Sequence, residues 1–195
     1  MNHSEDQSLK NLLEAALMVV QQPMSLEQLQ HLVDPENPPP RQRLRQALLS
    51  LQQDFQGHGV ELVEVASGWR FQTRPEYHAR LARLWEEKPP RYSRALLETL
   101  ALIAYRQPIT RGEIEDIRGV SVSSQIIRTL MEREWIRVLG HRDVPGRPAL
   151  LGTTRAFLDH FGLKTLEDLP SLQALSDVQP EAELPLPEPV TGEHP

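Results

Sequence analysis

The sequence predicts a mostly α chain with small β-hairpins, an α+β class, and three observations carry that prediction. Apolar residues recur at helical spacing in several separate stretches, beginning with Leu9, Leu12, Leu13, Ala16, Leu17 and Val20. Two short runs rich in β-branched and aromatic residues, Val60–Val65 and Trp69–Thr73, are joined by the turn-forming Ala66-Ser67-Gly68. The same order of helices and hairpin then returns beyond Lys88-Pro89-Pro90-Arg91, where two consecutive prolines cannot continue a helix.

In the first half, the helix carrying Leu9 to Val20 is ended by Pro23. Ser25-Leu-Glu-Gln28 reads as a capping box, in which the Ser and Gln side chains satisfy orphan N–H groups of a second short helix reaching about Val33. Past the Pro-rich stretch Pro35–Pro40 comes a third helix with Leu44, Leu48, Leu51 and Phe55 inward, closed by Gly57 and Gly59. The hairpin follows, with Trp69 and Phe71 on one face and Arg70 and Gln72 on the other. A further helix is expected over Pro75–Trp85, Pro75 in its first turn and Tyr77, Leu81 and Leu84 inward.

The second half opens with Arg94–Tyr105, helical and apolar nearly all round, hence expected to be buried on several sides. Pro108 breaks it, and Thr110-Arg-Gly-Glu113 forms a second capping box ahead of a helix with Ile114 and Ile117 inside, stopped by Gly119. Ser121–Glu134 is the third helix, with Val122, Ile126, Ile127, Leu130 and Met131 apolar. Strands Ile136–Leu139 and Ala149–Thr153 flank the loop Gly140–Pro148. Three helices and a hairpin make a winged helix, here twice. The domains expected are therefore 1–88, 89–170, and a tail over 171–195 that has five acidic and no basic residues and five prolines. With no aromatic residue to bury, that tail is read as disordered.

Composition excludes several kinds of chemistry. The 195 residues contain no Cys, which removes thiol nucleophiles, Cys metal sites and disulfides. The longest apolar runs, Ala15–Val20 and Leu100–Tyr105, fall far short of the ~20 residues that span a bilayer. The N-terminus is acidic where a secretory signal is basic, so a cytoplasmic location is expected. The seven His lack the close helical spacing of a metal-binding pair, and no nucleotide or acyl-transfer motif is present, so neither cofactor nor enzyme activity is expected. Glu113, Glu115 and Asp116 read as complements of a helix dipole. The net charge of −6 is uneven: residues 1–88 carry −3, 89–170 carry +2 and the tail −5.

The third helix of the second half stands where DNA-reading winged helices place a recognition helix. Its polar face, Ser123, Gln125, Arg128, Thr129 and Glu132, offers one cation, poor for a major-groove reader that needs several phosphate contacts. The loop with His141, Arg142 and Arg147 is a better phosphate candidate, although Asp143 among them suits a structural ion pair equally. The first hairpin exposes Glu61 or Glu64, either of which repels phosphate and disfavours nucleic acid there.

The strings Glu98-Thr-Leu-Ala-Leu-Ile-Ala-Tyr-Arg-Gln-Pro-Ile-Thr-Arg-Gly-Glu-Ile-Glu-Asp-Ile-Arg-Gly119, Asp143-Val-Pro-Gly-Arg-Pro148 and Thr153-Thr-Arg-Ala-Phe-Leu-Asp-His-Phe-Gly-Leu163 closely resemble bacterial segregation and condensation protein B. Gly59–Pro75 looks like that family's first wing, so the resemblance spans roughly residues 10–170. Departures are Gln21-Gln22-Pro23, where Gly-Glu-Pro is frequent, and Glu134-Trp135, where Gly-Leu is common. The resemblance implies a non-enzymatic subunit of the bacterial SMC condensin complex, associated with the nucleoid. Such a subunit dimerises through its first winged helix and grips the kleisin, segregation and condensation protein A, which bridges the SMC ATPase heads. On that view Met18 and Val19 belong to the homodimer interface, and Arg142 and Arg147 form the rim of a kleisin site. Trp135 either anchors the kleisin or caps the domain core, and DNA contact is at most weak or indirect. The alternative function is a tandem winged-helix transcription regulator.

Overall fold

The computed structural model describes residues 3–84 and 92–171. The expected linker at Pro89-Pro90, the helix end at Trp85 and all but the first residue of the expected tail lie outside the described residues. The architecture is mixed: helices with small antiparallel sheets, around two separate apolar cores.

The first core is built by α1 (His3–Val19), α2 (Leu26–Val33) and α3 (Arg41–Asp54) against the hairpin β1 (Val60–Val65) and β2 (Gly68–Thr73). Leu9, Leu13 and Leu17 of α1 meet Leu44, Leu48 and Leu51 of α3, with Leu62 and Trp69 closing the far side. The capping box starts α2: Gln28 N–H donates to Ser25 Oγ at 3.2 Å, and the Ser25 N–H donates to Gln28 Oε1 at 2.8 Å. Gly68 is obligatory at the hairpin turn. Its φ is 142°, and a Cβ there would lie 2.1 Å from the Met24 carbonyl oxygen, because the chain before α2 bridges directly to Trp69.

After the hairpin, α4 spans Pro75–Leu81 and tightens into a 3₁₀ turn at Ala82–Leu84. The inward placement expected of Tyr77 and Leu84 is corrected: Tyr77 is exposed, and Leu84 is 73% exposed. Leu81, the third residue of that expected face, is half-buried, so the face is covered only in part among the described residues.

The second core gathers around α5 (Arg94–Arg106), with the two-residue strand β3 (Ile109–Thr110), α6 (Arg111–Arg118), α7 (Ser124–Glu132), β4 (Ile136–His141), β5 (Ala149–Thr153) and α8 (Arg155–His160). The sheet order is β3-β5-β4, all antiparallel. Leu96, Leu100, Ile103 and Ala104 face the core, but Leu97 is 43% exposed, so α5 is buried on one side rather than several. Ile117 is likewise corrected, from inside to 54% exposed, while Ile114 is fully buried. The Thr110–Glu113 capping box forms, and Gly119 ends α6 in the left-handed region at φ 68°.

The halves touch through the tip of the first hairpin. Ser67 N–H and Oγ–H both donate to the Asp159 carboxylate, at 2.9 and 2.6 Å. Ala66 N–H donates to the Leu163 carbonyl at 2.9 Å, and Lys164 pairs with Glu64 at 2.9 Å. Among the described residues, no helix is long and apolar enough to cross a membrane.

Candidate functional site

The loop between β4 and β5 carries the two arginines singled out from the sequence. Arg142 N–H donates to the Pro148 carbonyl at 3.0 Å and Arg147 N–H to the Val144 carbonyl at 2.8 Å, so the loop closes on itself and both residues are exposed on one short, braced segment. Gly146 and Arg147 are consecutive left-handed residues, φ 84° and 39°, which makes the turn tight.

The side chains differ in their partners. Arg142 reaches the first turn of α6 and pairs with Glu113 at 2.9 Å. The sequence suggested Asp143 as the structural partner; the carboxylate that takes the role lies 29 positions away. Glu113 is itself fixed by the cap. The Thr110 backbone N–H, then its hydroxyl, and lastly the Arg142 charge hold the Glu113 carboxyl below the usual carboxylate range. Arg147 has no ion partner among the described residues. The loop therefore presents one neutralised and one available guanidinium.

Trp135 resolves in favour of the core. It is 4% exposed, with the rings of Tyr92, His160 and Phe161 at 5.2, 4.5 and 5.4 Å and the Arg133 guanidinium 5.5 Å from its ring. Of the two readings the sequence left open, anchor or core cap, burial favours the core cap, because an indole this enclosed offers little surface to a partner. The reason lies one residue earlier: Glu134 is left-handed, φ 57°, and swings the chain from α7 into β4 so that the next side chain points inward. Sequence alone could not separate the two readings, since the aromatic neighbours come from Tyr92 and from α8 and its exit.

Two of the remaining carboxylates have structural partners. Glu115 accepts from the Val122 N–H at 2.8 Å and pairs with Arg111 at 3.0 Å, both of which lower its pKa. On the outer face of α7, Arg128 is paired with Glu132 at 2.9 Å. Among the described residues no group of three or more His, Asp or Glu is placed to hold a metal ion.

A second candidate surface lies on α1. Met18 is 48% exposed and Val19 83%, with Leu12 and Val20 also exposed on the same helix and its exit. These four apolar side chains are the exposed large hydrophobics of this stretch, and Val19 stands furthest into solvent.

A family model described as segregation and condensation complex subunit ScpB matches residues 11–172. The chain is 57% identical over 170 residues to the segregation and condensation protein B homolog of Coxiella burnetii (strain RSA 493 / Nine Mile phase I), spanning 87% of this chain and 81% of that one. With segregation and condensation protein B of Syntrophotalea carbinolica (strain DSM 2380 / NBRC 103641 / GraBd1) the identity is 42% over 177 residues, 90% and 87% of the two chains. Among solved structures, ScpB from Mycobacterium tuberculosis is 32% identical, with 81% of this chain and 97% of that one covered and a TM-score of 0.38.

Proposed function

The chain belongs to the segregation and condensation complex subunit ScpB family, and from that premise we propose that it is a non-enzymatic subunit of an SMC–kleisin condensin, acting in chromosome condensation and segregation from the cytoplasm at the nucleoid. The observation that carries the reading is the family match, which spans both halves of the chain. Each half is then a winged helix, 1–88 for dimerisation and 89–170 for the kleisin, with 171–195 as a tail.

The homodimer forms through the exposed Met18 and Val19, and burying that apolar surface supplies the drive for association. The kleisin is held by the second half, with Arg147 as the charge available to an acidic kleisin residue. Arg142 contributes less charge and more shape, since Glu113 already neutralises it. The same pairing weakens the wing as a phosphate contact, which argues for protein over DNA as partner.

The test is the double variant Arg142→Glu with Arg147→Glu. The far-UV spectrum is expected to be unchanged and kleisin affinity to fall by about ten- to a hundredfold, the loss typical when a charged rim is reversed. Normal kleisin binding with loss of a salt-sensitive DNA interaction would overturn the reading and favour a transcription regulator.

A further inference from the structure

We propose that the open groove along the outer face of α5 is the docking site for this chain's own segment Leu172–Val178. The groove has a volume of about 410 Å³ and is lined almost entirely by apolar groups, among them Leu97, Ala101 and Tyr105 of α5, Phe161 after α8, and Leu169 and Pro170. Leu97 and Phe161 remain substantially exposed, so the described residues leave the groove uncovered.

The occupant follows from where the chain stands as it leaves the described region. Leu169 and Pro170 already form one wall, and Tyr105 Oη–H donates to the Pro170 carbonyl at 2.6 Å, tacking the backbone to the C-terminal end of α5. From Tyr105 back to Leu97 the groove runs eight residues of helix, about 12 Å at 1.5 Å per residue. The following residues are Ser171-Leu-Gln-Ala-Leu-Ser-Asp-Val178, eight residues, long enough to span ~12 Å even at the 1.5 Å per residue of the most compact common conformation. Their apolar members, Leu172, Leu175 and Val178, recur every third residue, a sequence spacing that can match one apolar surface. The charged, Pro-rich part of the sequence begins only at the end of this stretch, so the apolar portion is the part whose chemistry matches the groove. Direct tethering at Pro170 gives the segment a millimolar-scale effective concentration, which favours it over any untethered competitor, including a second copy.

Because the chain has no cysteine, Ala101→Cys places a single thiol in the groove of the full chain. Its maleimide labelling is compared with that of the same variant carrying Leu172→Asp and Leu175→Asp. Gln125→Cys on the exposed face of α7 reports any general change, and Leu97→Cys reads the same groove should Ala101→Cys fail to fold. Docking predicts labelling of Cys at 101 about tenfold slower than in the double-Asp chain, as for a site open a tenth of the time, independent of protein concentration, with Gln125→Cys unaffected. Equal rates with and without the Asp substitutions would overturn the proposal. So would protection that disappears on dilution, which would assign the groove to a second copy.

Discussion

Replacing Trp135 by Ala distinguishes a core residue from a contact residue. The indole is 4% exposed and lies within 4.5–5.4 Å, centroid to centroid, of three other rings. Deleting a buried aromatic of this kind costs about 3–5 kcal/mol, transfer and cavity terms together. The Arg133 guanidinium, stacked 4.8 Å over Tyr92 and 5.5 Å from Trp135, loses one of its two π faces, adding up to about 1 kcal/mol. In a unit of roughly eighty residues each kcal/mol moves the midpoint by about 4–8 °C. The thermal midpoint of the second half should therefore drop by at least about 12 °C, read by calorimetry on the full chain. Trp135→Phe, which keeps a ring in the cluster, should recover most of that loss. A Trp135→Ala chain melting within about 4 °C of the parent while binding kleisin poorly would refute the core assignment.

Two further outcomes follow from local geometry. Gly68→Ala should destabilise the first half by more than about 2 kcal/mol, measured by urea titration, because the new methyl would occupy the Met24 carbonyl position and the residue sits at φ 142°. His160 has a folded-state pKa below its usual value, first through desolvation and then through the like charges of Arg133 and Arg70. Folding therefore favours its neutral form, and stability should decline as pH falls below the ordinary His range near 6.5, a decline that His160→Gln should flatten.

Much of the local structure was legible because it is written in short-range chemistry. Both capping boxes need partners only three residues apart, and both form as the sequence predicts. The α3 core stripe follows from spacing alone, and in α1 so do Leu9, Leu13 and Leu17, whereas Leu12 and Val20 at the same spacing are exposed. Periodicity identifies a face but not whether anything comes to cover it, which is why Tyr77, Leu84 and Ile117 were placed inward and are found in solvent. The strand β3 is only two residues long and exists because β5, some forty residues later, pairs with it. At the candidate site the arginines were legible and their environment was not: Glu113 meets Arg142 from across the fold, and Asp159 meets Ser67 across 92 positions. Such pairings are properties of packing, and no local pattern encodes them.

The claim that this chain works as an interaction subunit is tested most directly by co-expressing it with the kleisin of its own host. The product would be purified through a tag on the kleisin, and its mass measured by light scattering. On that claim the full chain co-elutes with the kleisin, and the chain alone scatters as twice its monomer mass at micromolar concentration. A chain that stays monomeric and leaves the kleisin unbound would contradict it.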